Sequence, residues 1–260
     1  MRIYIYDGSF EGLLTAIKQC LTYNGKVSEI TTPERYQPDL FSDGMEIKTI
    51  SEEARKFYRQ LEGLSKEITA TISYAFLSEQ SGVEMLIYEY IKTVFRYGVE
   101  VITNMNHPAI YKLYYLRRKV LFEIGRYHGF VRFQQLPNGI FYSPIEPDYN
   151  IVQFLAPHFS ARFADQRWMI HDIRRGTGIF YDLTHCVYLS WVDRNHPLIR
   201  LVLEHPEENA LPANIMELKY QRLWKDYFKA IAIQERHNTK VQRQHMPRRY
   251  WKHLIEDVEV

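Results

Sequence analysis

Residues 129–147 read GFVRFQQLPNGIFYSPIEP, and the punctuation of this stretch decides the fold. FVRFQQL and IFYSPIEP are short strand-like runs. Pro137-Asn138-Gly139 between them holds an Asn-Gly step, which closes β-hairpins because both turn residues tolerate positive φ. Pro147-Asp148 then leads into a helix expected at about 149–164. RWMIHDIRR, Gly176-Thr177-Gly178 and IFYDL repeat the hairpin pattern up to Leu183. Strand, strand, helix, strand, strand predicts a mainly antiparallel sheet with a helix packed on it.

Upstream, RIYIY at 2–6 reads as a strand and Asp7-Gly8-Ser9 as the turn into a helix from Phe10 to about Tyr23. Backbone amides at such a turn can hold a phosphate, but one glycine is a weak signal for that, and capping of the helix by Asp7 or Ser9 is the favoured reading. A short strand is expected at Val27–Ile30, with turn residues around Pro33, Pro38 and Asp43-Gly44. Helical periodicity covers 51–62, 65–78 and 82–97, and a further helix runs from Asn106-His107-Pro108 to about Tyr127. Its apolar stripe is Ile110, Leu113, Val120, Leu121 and Ile124. Arg117 lies on the same side, where a guanidinium needs a carboxylate partner.

Downstream, a short helix is expected at 196–204, and a long one from Met216 to Gln244. On that long helix Tyr220, Leu223, Trp224, Tyr227, Phe228 and Ile231 form an apolar stripe that predicts packing on a core. Arg222, Lys225, Lys229, Arg236, Lys240 and Arg243 fall within an arc of roughly 60° on the other side. Segment 219–253 carries ten Lys/Arg against two Asp/Glu, a formal +8 in a chain whose total is +2. The basicity is therefore local, as a phosphate backbone requires, although a charged helix face can also be merely solvated. Glu235, Asn238 and Gln242 continue the apolar side and call for a satisfied network or a cleft. Arg248 and Arg249 beside Tyr250 and Trp251 mix cations with rings, which suits nucleic acid, while Trp251 and Leu254 could instead clamp the tail.

The overall expectation is one α+β domain over 1–260: helix-rich, with two hairpins flanking a helix and a long basic C-terminal helix. Its sub-parts would be 1–108, which carries eleven basic and fifteen acidic residues, and 109–260. Hydrophobic residues at 46% and aromatics at 15% exclude a disordered chain. Only Cys20 and Cys186 occur, which excludes a disulfide framework, a zinc ribbon and a cysteine-ligated iron–sulfur cluster. With no membrane span and no signal peptide read at its start, the chain is expected to be cytoplasmic.

Several blocks together carry a resemblance. YDGSFEGLL, GFVRF with LPNGIFYSPIEPDYNIVQFLAPHF, WMIHD followed by RR, and YQRLWKDYF through MPRRYW resemble a bacterial domain of unknown function. Members of that family are called probable DNA metabolism proteins. The likeness is strongest in 1–16, 128–183 and 219–252. The family is similar to a domain fused to uracil-DNA glycosylase-class proteins, and it is typically encoded beside a radical SAM protein of DNA repair or modification. The resemblance thus implies a DNA-binding accessory partner of a radical SAM enzyme. It fixes no catalytic residues.

Three functions follow as expectations. In the first, an accessory protein binds DNA through Arg162, Arg174, Arg175, Arg222, Lys225, Lys229, Arg236, Asn238, Lys240, Arg243, Arg248 and Arg249. In the second, an enzyme acts on nucleic acid with His158, His171, Asp172 or Glu235 as acid–base candidates. In the third, the basic face binds an acidic protein. No metal site and no cofactor are expected in any of the three.

Overall fold

A computed structural model describes residues 2–23, 25–38, 43–137, 139–192, 215–233 and 238–255. Asn138, the helix expected at 196–204, Glu235 and Arg236 lie outside the described residues. The chain divides into two compact units, Met1–Phe122 and Glu123–Val260.

The first unit joins a small parallel sheet to helices. Strands β1 (Arg2–Ile5), β2 (Val27–Thr31) and β3 (Asp43–Glu46) lie in the order β2-β1-β3, all parallel. The sequence reading had placed a turn at Asp43-Gly44. The segment is instead an exposed edge strand, held by β1 and lacking any apolar alternation of its own. Helix α1 (Phe10–Thr22) starts at Ser9, whose Oγ accepts from the Gly12 amide at 2.9 Å. Asp7 in turn accepts from the Ser9 amide and the Thr49 hydroxyl. The turn is thus a cap, and its oxygens occupy the amides that a phosphate would need. A side chain at residue 12 would displace the cap, because a Cβ there would lie 2.1 Å from Asp7 Oδ1 and 3.0 Å from Ser9 Oγ.

Helices α2 (Ser51–Leu64), α3 (Lys66–Phe76) and α4 (Val83–Tyr97) follow, then a 3-10 turn at Val99–Thr103 and the long α5 (Pro108–Phe130). Leu13, Ile17, Leu61, Ile72, Ile91 and Leu113 are fully buried in a shared core, and each such side chain contributes about 1.5–3 kcal/mol by leaving water. Arg117 donates to Glu67 Oε1 and Thr71 Oγ1, both at 3.0 Å, the structural bridge its position asked for. Leu121, assigned to the apolar stripe, is exposed.

The second unit carries a five-stranded sheet in the order β4-β5-β6-β7-β8. Its strands are β4 (Gln134–Gln135), β5 (Phe141–Ile145), β6 (Trp168–Asp172), β7 (Thr177–Tyr181) and β8 (Cys186–Leu189). The expectation of a mainly antiparallel sheet needs correction: the sheet is mixed, because β5 and β6 pair in parallel. Helix α6 (Val152–Arg162) lies between them in sequence, and a helical crossover returns the chain in the same direction. β8 was not foreseen at all. Central strand β6 is buried at all five positions, as a strand covered on both faces must be. Trp168 stacks on Tyr181 and meets Phe159 of α6, while Met169 joins Leu136, Tyr142 and Val192 on the other side.

The C-terminal region also differs from its expectation. The long basic helix is two helices, α7 (Ile215–Ile231) and α8 (Thr239–His245), followed by a 3-10 segment at Arg248–His253. Asn238 is extended, and its side chain accepts from the Val241 amide, so it restarts a helix where the sequence suggested continuation. The cationic arc is therefore not one ridge. The apolar stripe is not core either: Tyr220, Leu223, Tyr227 and Ile231 each remain more than half exposed. Tyr250, not Trp251 or Leu254, anchors the tail, buried against Tyr127 and Phe130.

Candidate functional site

Two polar systems dominate the second unit, and only one of them opens to a ligand. The closed system is a web of carboxylates and guanidinium groups. Asp172, fully buried at the end of β6, accepts from the Arg174 and Arg175 amides and from Arg175 Nη1 at 3.0 Å. Arg175 also donates to the carbonyls of Pro147 and Asp148, tying the β5–α6 connection to the β6–β7 turn. Glu123, likewise buried, accepts from the Asp148 and Tyr149 amides and from Arg249 at 3.1 Å. Arg249 pairs with Asp148 as well. Burial pushes both carboxyls upward, opposed by these donors. Each acceptor faces a donor, so the web organises loops. His171 sits apart, buried, with Nδ1 2.8 Å from the Tyr142 hydroxyl.

The open system is a cavity of about 480 Å³ formed by the end of α5, the 131–133 segment, β5, α6 and α7. Its walls are mostly rings: Phe133, Phe141, Phe159, Phe163, Trp168 and Trp224. Phe133 meets Phe159 and Phe163 edge-on at 5.5 and 5.4 Å, which holds the wall rigid. Phe159 on α6 and Phe163 at its C-cap lie parallel, 6.2 Å between centroids, so both rings face the same side. Arg132 and Arg162 supply the charge. Arg132 Nη1 donates to the Gly129 and Val131 carbonyls, which fixes its guanidinium, and Arg162 lies over the Phe163 ring. Gln166 adds an amide, and no carboxylate lines the cavity among the described residues.

His128 lines the same cavity, with its ring flat against His158 at 4.2 Å between centroids. The Nε2 atom of each is buried and has no hydrogen-bond partner. Burial, and then the neighbouring imidazole, hold the His128 pKa below its ordinary value. A second, more open cavity of about 570 Å³ adjoins the first through Phe133, Phe141 and Trp224, and Tyr220, Leu223 and Tyr227 of α7 line it. The exposed stripe of α7 thus forms the wall of a groove.

The structure brings few of the anticipated residues together here. Of the anticipated cations, Arg162 lines the first cavity, whereas Arg175 and Arg249 are engaged in the web. Arg174, Arg222, Lys229, Lys240, Arg243 and Arg248 are exposed, Lys225 is half-buried, and Asn238 serves as a cap. Of the acid–base candidates, His158 reaches the cavity only through His128, while His171 and Asp172 point into buried structure. The aromatic wall and Arg132 were not anticipated as a site. The one available signal was the pairing of rings with cations in FVRF and in HFSARF.

A mixed sheet, crossed by one helix and bordered by a ring-lined groove, defines an α/β protein with a small-ligand-sized site. The chain belongs to the family described as a domain of unknown function, DUF4130, which matches residues 81–256. That match includes the 128–183 and 219–252 blocks but not residues 1–16. No curated protein matches the chain. Among the described residues no cluster of His, Cys, Asp and Glu is arranged to hold a metal ion, and no helix is long and apolar enough to cross a membrane.

Proposed function

We propose that this chain is a nucleic-acid-binding protein of DNA metabolism whose cavity receives a single unstacked base. The observation carrying this reading is a cavity walled by six aromatic rings and supplied with two arginines, with no carboxylate among its described lining residues. Flat apolar faces take a base by stacking at about 1–3 kcal/mol each, and guanidinium groups take the attached phosphate. Exposed cations on α7, α8 and the tail would track the flanking backbone, a contact that positions without reading sequence. The resemblance to probable DNA metabolism proteins agrees with this reading. It also supplies the further proposal that the chain is the accessory partner of a radical SAM enzyme.

Fluorescence anisotropy with labelled single-stranded and duplex DNA, at low and physiological salt, tests the reading. Binding that weakens with salt, and weakens further in Arg132→Gln and Arg162→Gln, is expected. Absence of salt-sensitive binding to either form overturns it and leaves the basic surface to an acidic protein partner.

A second reading, an enzyme acting on nucleic acid, draws on the His128–His158 pair at the cavity. His128 lines the cavity, and once its buried Nε2 turns toward a ligand this imidazole can accept a proton from water or from a base. Retention of any strand-cleaving or base-releasing activity by His128→Asn would remove it.

A further inference from the structure

The outer face of α5 belongs to the first unit and lines neither cavity. Between residues 111 and 122 it shows Tyr111, Tyr114, Tyr115, Arg118, Lys119 and Phe122, all exposed. Their spacing is that of a single helix face. The opposite face carries Ile110, Leu113, Leu116 and Val120, all buried, so that face is the one that packs on the core. Tyr111 and Tyr115 lie nearly parallel, 10° apart in plane and 6.2 Å between centroids. The Lys119 ammonium sits 4.8 Å from the Tyr115 centroid. From Pro108 to Phe122 the helix has no acidic residue, and with Arg117 turned to Glu67, Lys112, Arg118 and Lys119 remain on the exposed side.

We propose that this face is a stacking platform for a single-stranded nucleic acid. A solvated helix face mixes both signs of charge and rarely displays large rings. Rings at one-turn intervals with only cations between them match a chain whose bases are flat and whose backbone is anionic. A second copy of the protein fits less well, because a two-fold contact would set Lys112, Arg118 and Lys119 against their own like charges. None of these residues lines the cavity of the second unit, so the proposal goes beyond the base-binding reading.

The test is anisotropy of a labelled oligothymidylate against the full chain, with circular dichroism to verify folding. Tyr111→Ala combined with Tyr115→Ala is expected to weaken binding about tenfold or more while leaving the salt slope unchanged. Lys112→Gln, Arg118→Gln and Lys119→Gln together should flatten that slope by about 2, since each phosphate contact on a single strand contributes roughly 0.7. Unchanged affinity and slope in both variants overturn the proposal and leave the face to an acidic protein partner. Arg162→Gln measured alongside separates the two readings. Loss there alone removes only the platform, and no binding by the unaltered chain removes platform and cavity together.

Discussion

The imidazole of His128, at the end of α5, lies against that of His158 on α6, 4.2 Å apart and 12° from parallel. Two protonated rings could not share that geometry, so the stack requires at least one neutral imidazole. Burial and the second ring lower the His128 pKa from its ordinary 6.5. The unfolded chain therefore binds the proton more readily than the folded one. Stability is complete above about pH 6.5 and is lost as pH falls through the lower folded value. His253, also held low by burial against its bond to Glu146, contributes with the same sign. Melting temperature should fall between about pH 7.5 and about pH 5.5, roughly one unit either side of the ordinary imidazole pKa, and by less in His128→Phe, which keeps the stack without the charge. An identical pH profile in the variant would contradict this account.

Asp172 is predicted to matter for stability and not for chemistry. Asp172→Asn can keep the bonds to the Arg174 and Arg175 amides but removes the charge facing the largely buried Arg175 guanidinium, which still donates to the Pro147 and Asp148 carbonyls. Breaking a buried pair from one side costs about 3–5 kcal/mol. Urea denaturation should report a loss of that order, with DNA affinity per folded molecule unchanged. A drop in affinity without loss of stability would instead return Asp172 to the site.

Two neighbouring arginines should behave oppositely. Arg249 satisfies the buried Glu123, so Arg249→Gln is expected to destabilise by about 1–3 kcal/mol through the stranded acceptor while barely changing the salt slope of DNA binding. Arg248, exposed beside Trp251, should show the reverse. Paired urea and salt titrations of the two variants check this directly.

Trp168 fills the second unit's core where it meets the cavity, fully buried against Phe159 and Tyr181. Trp168→Ala should cost about 3–5 kcal/mol. Trp224→Ala, on the half-exposed cavity wall, should cost little stability and most of the affinity. Equal destabilisation by the two would mean that α7 is core and that the groove is not a binding surface.

Periodicity made the helices legible: α2, α3 and α4 lie within two residues of their expected ends, and Arg117 found its carboxylate. It could not reveal which strands pair. Nothing in IFYSPIEP or RWMIHDIRR marks their parallel association, and the edge strand DGME reads as a turn because its partner supplies the regularity. The stripe on α7 was visible, but an apolar stripe lining a groove has the same spacing as one packed on a core. Glu123 was missed because one glutamate on a helix looks solvated, and its partners lie 25 to 127 residues away. The cavity's rings are spread from Phe133 to Trp224, so only the folded sheet gathers them.

The most direct measurement compares binding of a duplex bearing one bulged nucleotide with the same duplex whose bulged sugar has no base. A cavity that stacks a base predicts about five- to hundredfold tighter binding of the bulged base, from about 1–3 kcal/mol per stacked base. It also predicts that Trp224→Ala abolishes the difference. Equal affinity for the two duplexes in the unaltered chain would contradict a base-binding cavity, however strongly both were bound.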